Sequence, residues 1–187
     1  MTRTQYYTAA SLDGYIADGE NSLEWLFDVD RAEGDVAFAR FFANVGAMAM
    51  GATTYEWVLG HEKVLDDPEE WHIYYGATPC WVFTHRTLPI IPGVDSRLVK
   101  GDVAAVHREM TRAAGEKNIW LVGGGELVGQ FADRKLLDEI LVGIAPVTLG
   151  RGAPLLPRRL TANDLELVEV VRDRQFVRLS YRLRRGG

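Results

Sequence analysis

The chain holds a single cysteine, Cys80, among 187 residues, so it can form no internal disulfide and no thiolate cluster for zinc. Cys80 lies in "PCWVFT", an apolar frame that reads as a buried structural thiol rather than a nucleophile. Histidine is also scarce. His61, His72, His85 and His107 show no metal-ligand spacing, and no metal site is expected. Long hydrophobic runs are missing too: the longest, "ILVGIAPVTLG", is too short to span a bilayer and contains a proline. Asp13 and Asp18 interrupt the opening residues, so no signal peptide is read there, and a soluble, cytoplasmic protein without a membrane partner is expected. Positive charge is in deficit, with 21 Lys and Arg against 26 Asp and Glu and a net charge of -5. A general nucleic-acid binder needs a basic surface, so no nucleic-acid partner is expected. The locally basic tail "RLSYRLRRGG" alternates as a strand with a solvated face. Repeats, low-complexity tracts and linkers are absent, and one domain over residues 1–187 is the simplest organisation.

What is present alternates between strand and helix patterns. "TQYYTAA" is a β-rich run that stops at the turn signal "SLDGYIADGEN". In "GDVAFARFFANV", Val36, Phe38, Ala39, Phe42 and Val45 fall near helical spacing, with Asp35 in the first turn. "AMAMG" reads as a buried strand, followed at once by "ATTYEWVLG", a helix opened by its threonines. "CWVFT" is a further strand. "GDVAAVHREMTRAAG" predicts a helix capped by Asp102 and ended by Gly115, with Val103, Val106 and Met110 on one face. "NIWLV" is a strand and "GELVGQFADRKL" a helix, while "DEILVGIAPV" is a strand too apolar to be solvated on one side. "LELVEVV" and "FVRLSYRL" predict a hairpin in which Val177, Leu179, Tyr181 and Leu183 share a face. The alternation implies an α/β fold: a largely parallel sheet with helices on both faces, closed by an antiparallel hairpin.

Two strand-to-helix corners carry the chemistry. One is "MAMGATTYEW", with Gly51 at the strand end and Thr53 and Thr54 at the helix start; the other is "WLVGGGELVG", with Gly123, Gly124 and Gly125. A glycine inside a regular element costs roughly 0.5–1 kcal/mol against alanine, so three in succession call for a close approach to the backbone. Free N–H groups and the positive end of a helix dipole bind anions such as pyrophosphate. Close helix–strand packing alone is the other explanation. The triple glycine is not the spaced G-x-G-x-x-G fingerprint, so an ordinary Rossmann assignment does not follow.

"AASLDGYIA", "EW" at Glu24–Trp25, "MGATTYE", "LVGGGELVGQF" and "LLDEILVGIAPVTLGRGAPLL" occur in an order that resembles the dihydrofolate-reductase-fold superfamily. The similarity runs from about residue 3 to 184. It is strongest to the reductase domain of the bacterial riboflavin-biosynthesis deaminase–reductase and its free-standing relatives. The zinc deaminase half has no counterpart here. The resemblance implies a three-layer α/β/α fold, NADPH as cofactor, hydride transfer to a small-molecule substrate, and pairing into a homodimer. It places Ala9, Ala10 and Trp25 along the nicotinamide. Gly51, Thr53 and Thr54 form one pyrophosphate-binding corner; Gly123, Gly124, Gly125, Glu126 and Leu127 form the second. Thr84, His85 and Arg86 fall in the turn that meets the adenosine ribose and its 2′-phosphate.

The substrate side diverges in both directions. The riboflavin enzymes usually carry a glutamate where this chain has Gly123, and the basic residues for a ribose phosphate are not evident between Thr53 and Asp67. Folate reductases usually carry an arginine at Ala52 and a pterin-bonding threonine near Gly143. Asp35 aligns without gaps to the folate-reductase acid that helps deliver a proton, and is the candidate catalytic residue; it is also an ordinary first-turn acid. A pyrimidine reductase, a folate or pterin reductase, and a nucleotide-binding protein without turnover therefore all remain as readings.

Overall fold

The computed structural model describes residues 2–29 and 36–184. In chain order the elements are β1 (Thr4–Ser11), β2 (Tyr15–Ala17), α1 (Glu24–Phe27), α2 (Val36–Phe42), β3 (Val45–Gly51), α3 (Ala52–His61), α4 (Glu69–Tyr75) and β4 (Cys80–Phe83). There follow β5 (Ser96–Val99), α5 (Val103–Ala114), β6 (Asn118–Gly123), α6 (Gly125–Asp133), β7 (Glu139–Ala145), β8 (Ala153–Pro154), β9 (Leu165–Asp173) and β10 (Phe176–Leu183).

Eight strands form one sheet in the order β5-β4-β3-β6-β1-β7-β10-β9. The pairings from β5 through β7 are parallel, and β10 joins β7 and β9 antiparallel. Pleating divides each central strand between two cores. On one face Tyr6, Ala47, Ala49, Leu121 and Ile140 pack under α5 and α6; on the other, Met48, Met50, Val82 and Trp120 pack under α2, α3 and α4. This is the three-layer arrangement that the alternating pattern implies. A short second sheet pairs β2 with β8.

The local signals explain most boundaries. Asp102 accepts a 2.9 Å bond from Ala104 N and caps α5, and Gly115 ends it at φ 61°. Val103, Val106, Met110 and Ala114 are its buried stripe. Cys80 is fully buried, and desolvation pushes its thiol well above the usual range, as a structural role requires.

Three expectations need correction. Val45 belongs to β3 and not to the preceding helix, because α2 stops at Phe42 and the chain enters the sheet. The threonines do not cap α3: Gly51 occupies the N-cap position and no side chain bonds there. The hairpin's polar face is solvated only in part: Arg182 and Arg184 are exposed. Leu179, Tyr181 and Leu183 do pack on the core, whereas Val177 is 42% exposed. Phe176, Arg178 and Ser180, on the other face, line a cavity instead.

His107 of α5 packs edge-on to Phe131, and its Nε2 lies 2.8 Å from Thr4 Oγ1. Burial disfavours the imidazolium and holds His107 below the usual histidine range, partly offset by Asp138. A folded pKa below the unfolded one means that the unfolded chain binds more protons between the two values. Stability from this site is therefore complete above about pH 6.5 and declines as pH falls below it. Denaturant midpoints measured from pH 7.5 to 5 should fall less steeply in His107→Gln than in the parent.

Candidate active site

The two glycine corners meet because β3 pairs with β6 in parallel, with Met50 opposite Gly123. A Cβ on Gly51 would lie 3.8 Å from both Gly123 O and Gly124 N. From this shared edge α3 and α6 both depart, so two helix N-termini open side by side on the sheet's carboxyl end. Unpaired first-turn N–H groups and aligned peptide dipoles give that edge a positive potential.

Each glycine of the triplet meets a different requirement. Gly123 has φ +144°, a region that side chains rarely enter. Gly124, joined to it by a cis peptide, is uncrowded: a Cβ there would make ordinary contact with Ile16 Cδ1 at 3.8 Å. Gly125 is closed in: a Cβ there would overlap the carbonyl oxygen of Pro154 and approach that of Leu155 to 2.5 Å. Gly123 and Gly124 are both uncrowded toward the cavity, and Gly125 alone of the three is closed in.

The loop that crowds Gly125 is tied to the first turn of the chain. Asp13 accepts hydrogen bonds from Ser11 Oγ (2.6 Å), Leu149 N (3.1 Å) and Gly150 N (2.7 Å). These bonds, Ser11 first, hold its carboxyl below the usual carboxylate range. Leu12 N donates to Val147 O, Leu155 N to Gly14 O, and Tyr6 Oη to Leu155 O. The β2–β8 pair completes this strap across the N-terminus of α6. Arg158 forks onto Glu126 and Asp133 of the same helix and lowers the Glu126 carboxyl.

The cavity in front of the corners measures about 1350 Å³. Single small-ligand pockets run to roughly 300–1,000 Å³, so there is room for a cofactor and a substrate together. Ala9, Gly51, Thr53, Thr54, Gly123, Gly124, Gly125, Glu126 and Leu127 all line it. No side-chain hydrogen bond engages Thr53 or Thr54 among the described residues.

Other anticipated residues stand apart from this wall. Ala10 is fully buried in the opposite core. Leu23, Leu26 and Phe27 of the α1 region reach the cavity, whereas Trp25 does not; its buried indole N–H finds no acceptor among the described residues. Thr84 turns its hydroxyl into its own loop, bonding Arg86 N and O. Arg86 forks onto Glu56 at 2.8 and 2.7 Å, and His85 is exposed. Asp35 lies outside the described residues.

Residue-by-residue reading of the chain missed the aromatic wall and the far end. Tyr7 stacks on Phe41 at 4.4 Å, and Trp120 donates its indole N–H to Tyr7 O at 3.0 Å. At the far end, Gly143, Phe176, Arg178 and Asp173 line the same space. Gly143 was singled out by its place near the folate reductases' pterin-bonding threonine; only the hairpin's alternation pointed to Phe176, Arg178 and Asp173, and it pointed equally to solvent.

Fold and corners together define a dihydrofolate-reductase-like domain of the riboflavin reductase type. Residues 58–177 match the RibD C-terminal domain model, and the chain belongs to that family. It is 32% identical over 185 residues to the uncharacterized Bacillus subtilis protein YwjB, covering 96% of this chain and 97% of that one. A candidate riboflavin biosynthesis protein from Shewanella sp. PV-4 superposes with TM-score 0.78 at 26% identity, over 98% of this chain and 100% of the other. The deaminase/reductase of Thermotoga maritima shares the fold at TM-score 0.65 and 16% identity; the match covers 97% of this chain but 56% of that one. Among the described residues, no helix is long and apolar enough to cross a membrane.

The contrast between Gly124 and Gly125 is testable. Gly124→Val should leave the thermal midpoint within a few degrees of the parent and abolish dinucleotide binding, because its side chain enters the cavity. Gly125→Val should lower stability by about 1–3 kcal/mol or more, because its side chain meets backbone that cannot withdraw. Paired thermal scans and fluorescence titrations would read both.

Proposed function

We propose that the chain is an NADPH-dependent reductase that transfers hydride to a small heterocyclic substrate. The observation that carries this reading is the pair of helix N-termini whose bare glycine corners open, side by side, on one large cavity. Gly51, Thr53 and Thr54 would hold one side of a pyrophosphate, and the backbone from Gly123 to Leu127 the other. The fit rests on the lack of crowding at Gly124 and on the two threonine hydroxyls that no hydrogen bond engages among the described residues. The nicotinamide would lie along Ala9, and the bound cofactor supplies the hydride. The protein's part is orientation, exclusion of water by the aromatic wall, and delivery of a proton.

The substrate proposed is a pyrimidine of the riboflavin type or a related ring. Asp35, one residue before α2 begins, is proposed as the proton donor. A folate or pterin substrate is the second reading, favoured by Gly123 in place of the glutamate usual in riboflavin enzymes. A domain spanning the whole chain and working as a cytoplasmic homodimer completes the proposal. Leu167, Val168 and Val170, each at least 50% exposed on the edge strand β9, offer a surface for that pairing.

Selectivity for NADPH is assigned to Arg86, which must then leave Glu56 to meet a 2′-phosphate. Arg86→Ala should weaken NADPH binding about 10-fold and leave NADH unchanged. Glu56→Gln should strengthen NADPH binding by about 2- to 5-fold, because it removes a competing exposed ion pair. Fluorescence titration of both cofactors checks each variant; equal effects on the two would remove Arg86 from the role.

Asp35→Asn should lower the rate of NADPH oxidation by roughly 100-fold with cofactor affinity intact, as loss of a general acid would. Steady-state assays with the pyrimidine substrate and with dihydrofolate check this and separate the two substrate readings. An unchanged rate would remove Asp35 from the proton-donor role.

A further inference from the structure

The cavity's far end holds a charged pair that the cofactor reading does not use. In register across the sheet, Ala9 of β1 pairs with Gly143 of β7, Gly143 with Arg178 of β10, and Arg178 with Val171 of β9. Because Gly143 has no side chain, the space beside it is taken by its neighbours: a Cβ there would stand 3.5 Å from Phe176 Cδ1 and 4.0 Å from Arg178 Cγ. Arg178 thus reaches the cavity across a gap in the middle of the sheet. Its Nε is buried and has no hydrogen-bond partner among the described residues. Asp173 Oδ2 is the nearby acid, at 3.8 Å from that Nε, too far for a hydrogen bond.

Among the described residues the Arg178 Nε N–H has no hydrogen-bond acceptor, and Asp173, its ion-pair partner at 3.8 Å, accepts no hydrogen bond. A ligand group that offers both, side by side, would satisfy the two at once. We infer that Arg178 and Asp173 read the edge of a neutral ring bearing adjacent oxo and N–H groups. Arg178 donates to the ring oxygen and Asp173 accepts from the ring N–H. An anionic group fits this end poorly, since Asp173 and Glu169 put two carboxylates beside Arg178, the one guanidinium that β9 and β10 contribute to the cavity lining among the described residues. Arg40 enters the wall from α2 and not from this face. Ala9 lies two strands from Arg178, roughly 10 Å at ordinary strand spacing. A ring anchored by Arg178 can therefore extend toward a nicotinamide at Ala9.

This assignment rests on the reductase reading of the cavity and names which substrate edge is recognised there. Uracil, 1,3-dimethyluracil and inorganic phosphate serve as probes, because they offer oxo with N–H, oxo alone, and an anion. Ligand-observed NMR on the full chain, with and without NADPH, measures each. Uracil should bind the parent, 1,3-dimethyluracil should not, and phosphate should not displace uracil. Arg178→Met and Asp173→Asn should each weaken uracil roughly 10-fold or more, while NADPH affinity stays at the parent value. Arg178→Lys, which keeps the charge but not the fork, should restore little. The inference is overturned if uracil fails to bind the parent, if 1,3-dimethyluracil binds equally, if phosphate competes, or if the variants lose NADPH along with uracil. A parent that binds uracil through Arg178 yet never binds NADPH would sink the reductase reading and leave the ring-edge assignment standing.

Discussion

The parallel pairing of β3 with β6 is the constraint on which the site depends. It brings Gly51 against Gly123 and Gly124, so two helices begin at adjacent points on one sheet edge. Neither helix N-terminus alone would specify a ligand with two phosphates. Together they concentrate unpaired N–H groups and dipole ends within the span of a pyrophosphate. The small residues of β3 make this possible: Ala47 and Ala49 let α5 pack close, while Met48 and Met50 fill the face beneath α3. Packing and binding are set by the same register, because a one-residue slip would exchange those faces and part the corners.

The second glycine corner is also held from outside the sheet. Pro154 and Leu155 press on Gly125, and their loop is fastened to the first turn through Asp13 and the β2–β8 pair. A segment near residue 13 and another near residue 150 thereby fix the start of a helix at residue 125. The carboxylate of Asp13 is engaged by a hydroxyl and two backbone N–H groups, which fasten the two segments to each other. The turn chemistry of "SLDG" announced the bend; the strap's far partner carried no comparable local signal.

That difference separates what was legible from what was not. Strand and helix identity followed from apolar period, and the ends of α5 from Asp102 and Gly115, because those signals act within a few residues. The two glycine corners were legible as strand-to-helix turns, since backbone shape at Gly123 and close contact at Gly125 demand glycine there. The short elements α1, α4, β2, β5 and β8 were not anticipated; "SRLV" at β5, for example, gains its strand from β4 and not from its own composition. The triple glycine looked like one feature and proved to be three. Only contact with Pro154 and Leu155, distant in sequence, separates Gly125 from Gly124.

The substrate end was hidden for a further reason. Arg178 sits in an alternating strand whose polar face is indistinguishable, in one dimension, from a face turned to water. What turns it into a cavity wall is the absence of a side chain at Gly143, one strand away, and the aromatic layer of α2 beyond it. A glycine in the centre of an otherwise apolar strand reads locally as weakness. Its effect appears only when the neighbouring strand is known, because the vacated space is filled from β10. On the proposed reading, cofactor recognition would be built from backbone, which asks only for glycine at the corners. Substrate recognition would be built from pairs such as Gly143 and Arg178, where changing one residue opens or closes the path of another. A chain of this fold could therefore keep the corners and change the ring it holds.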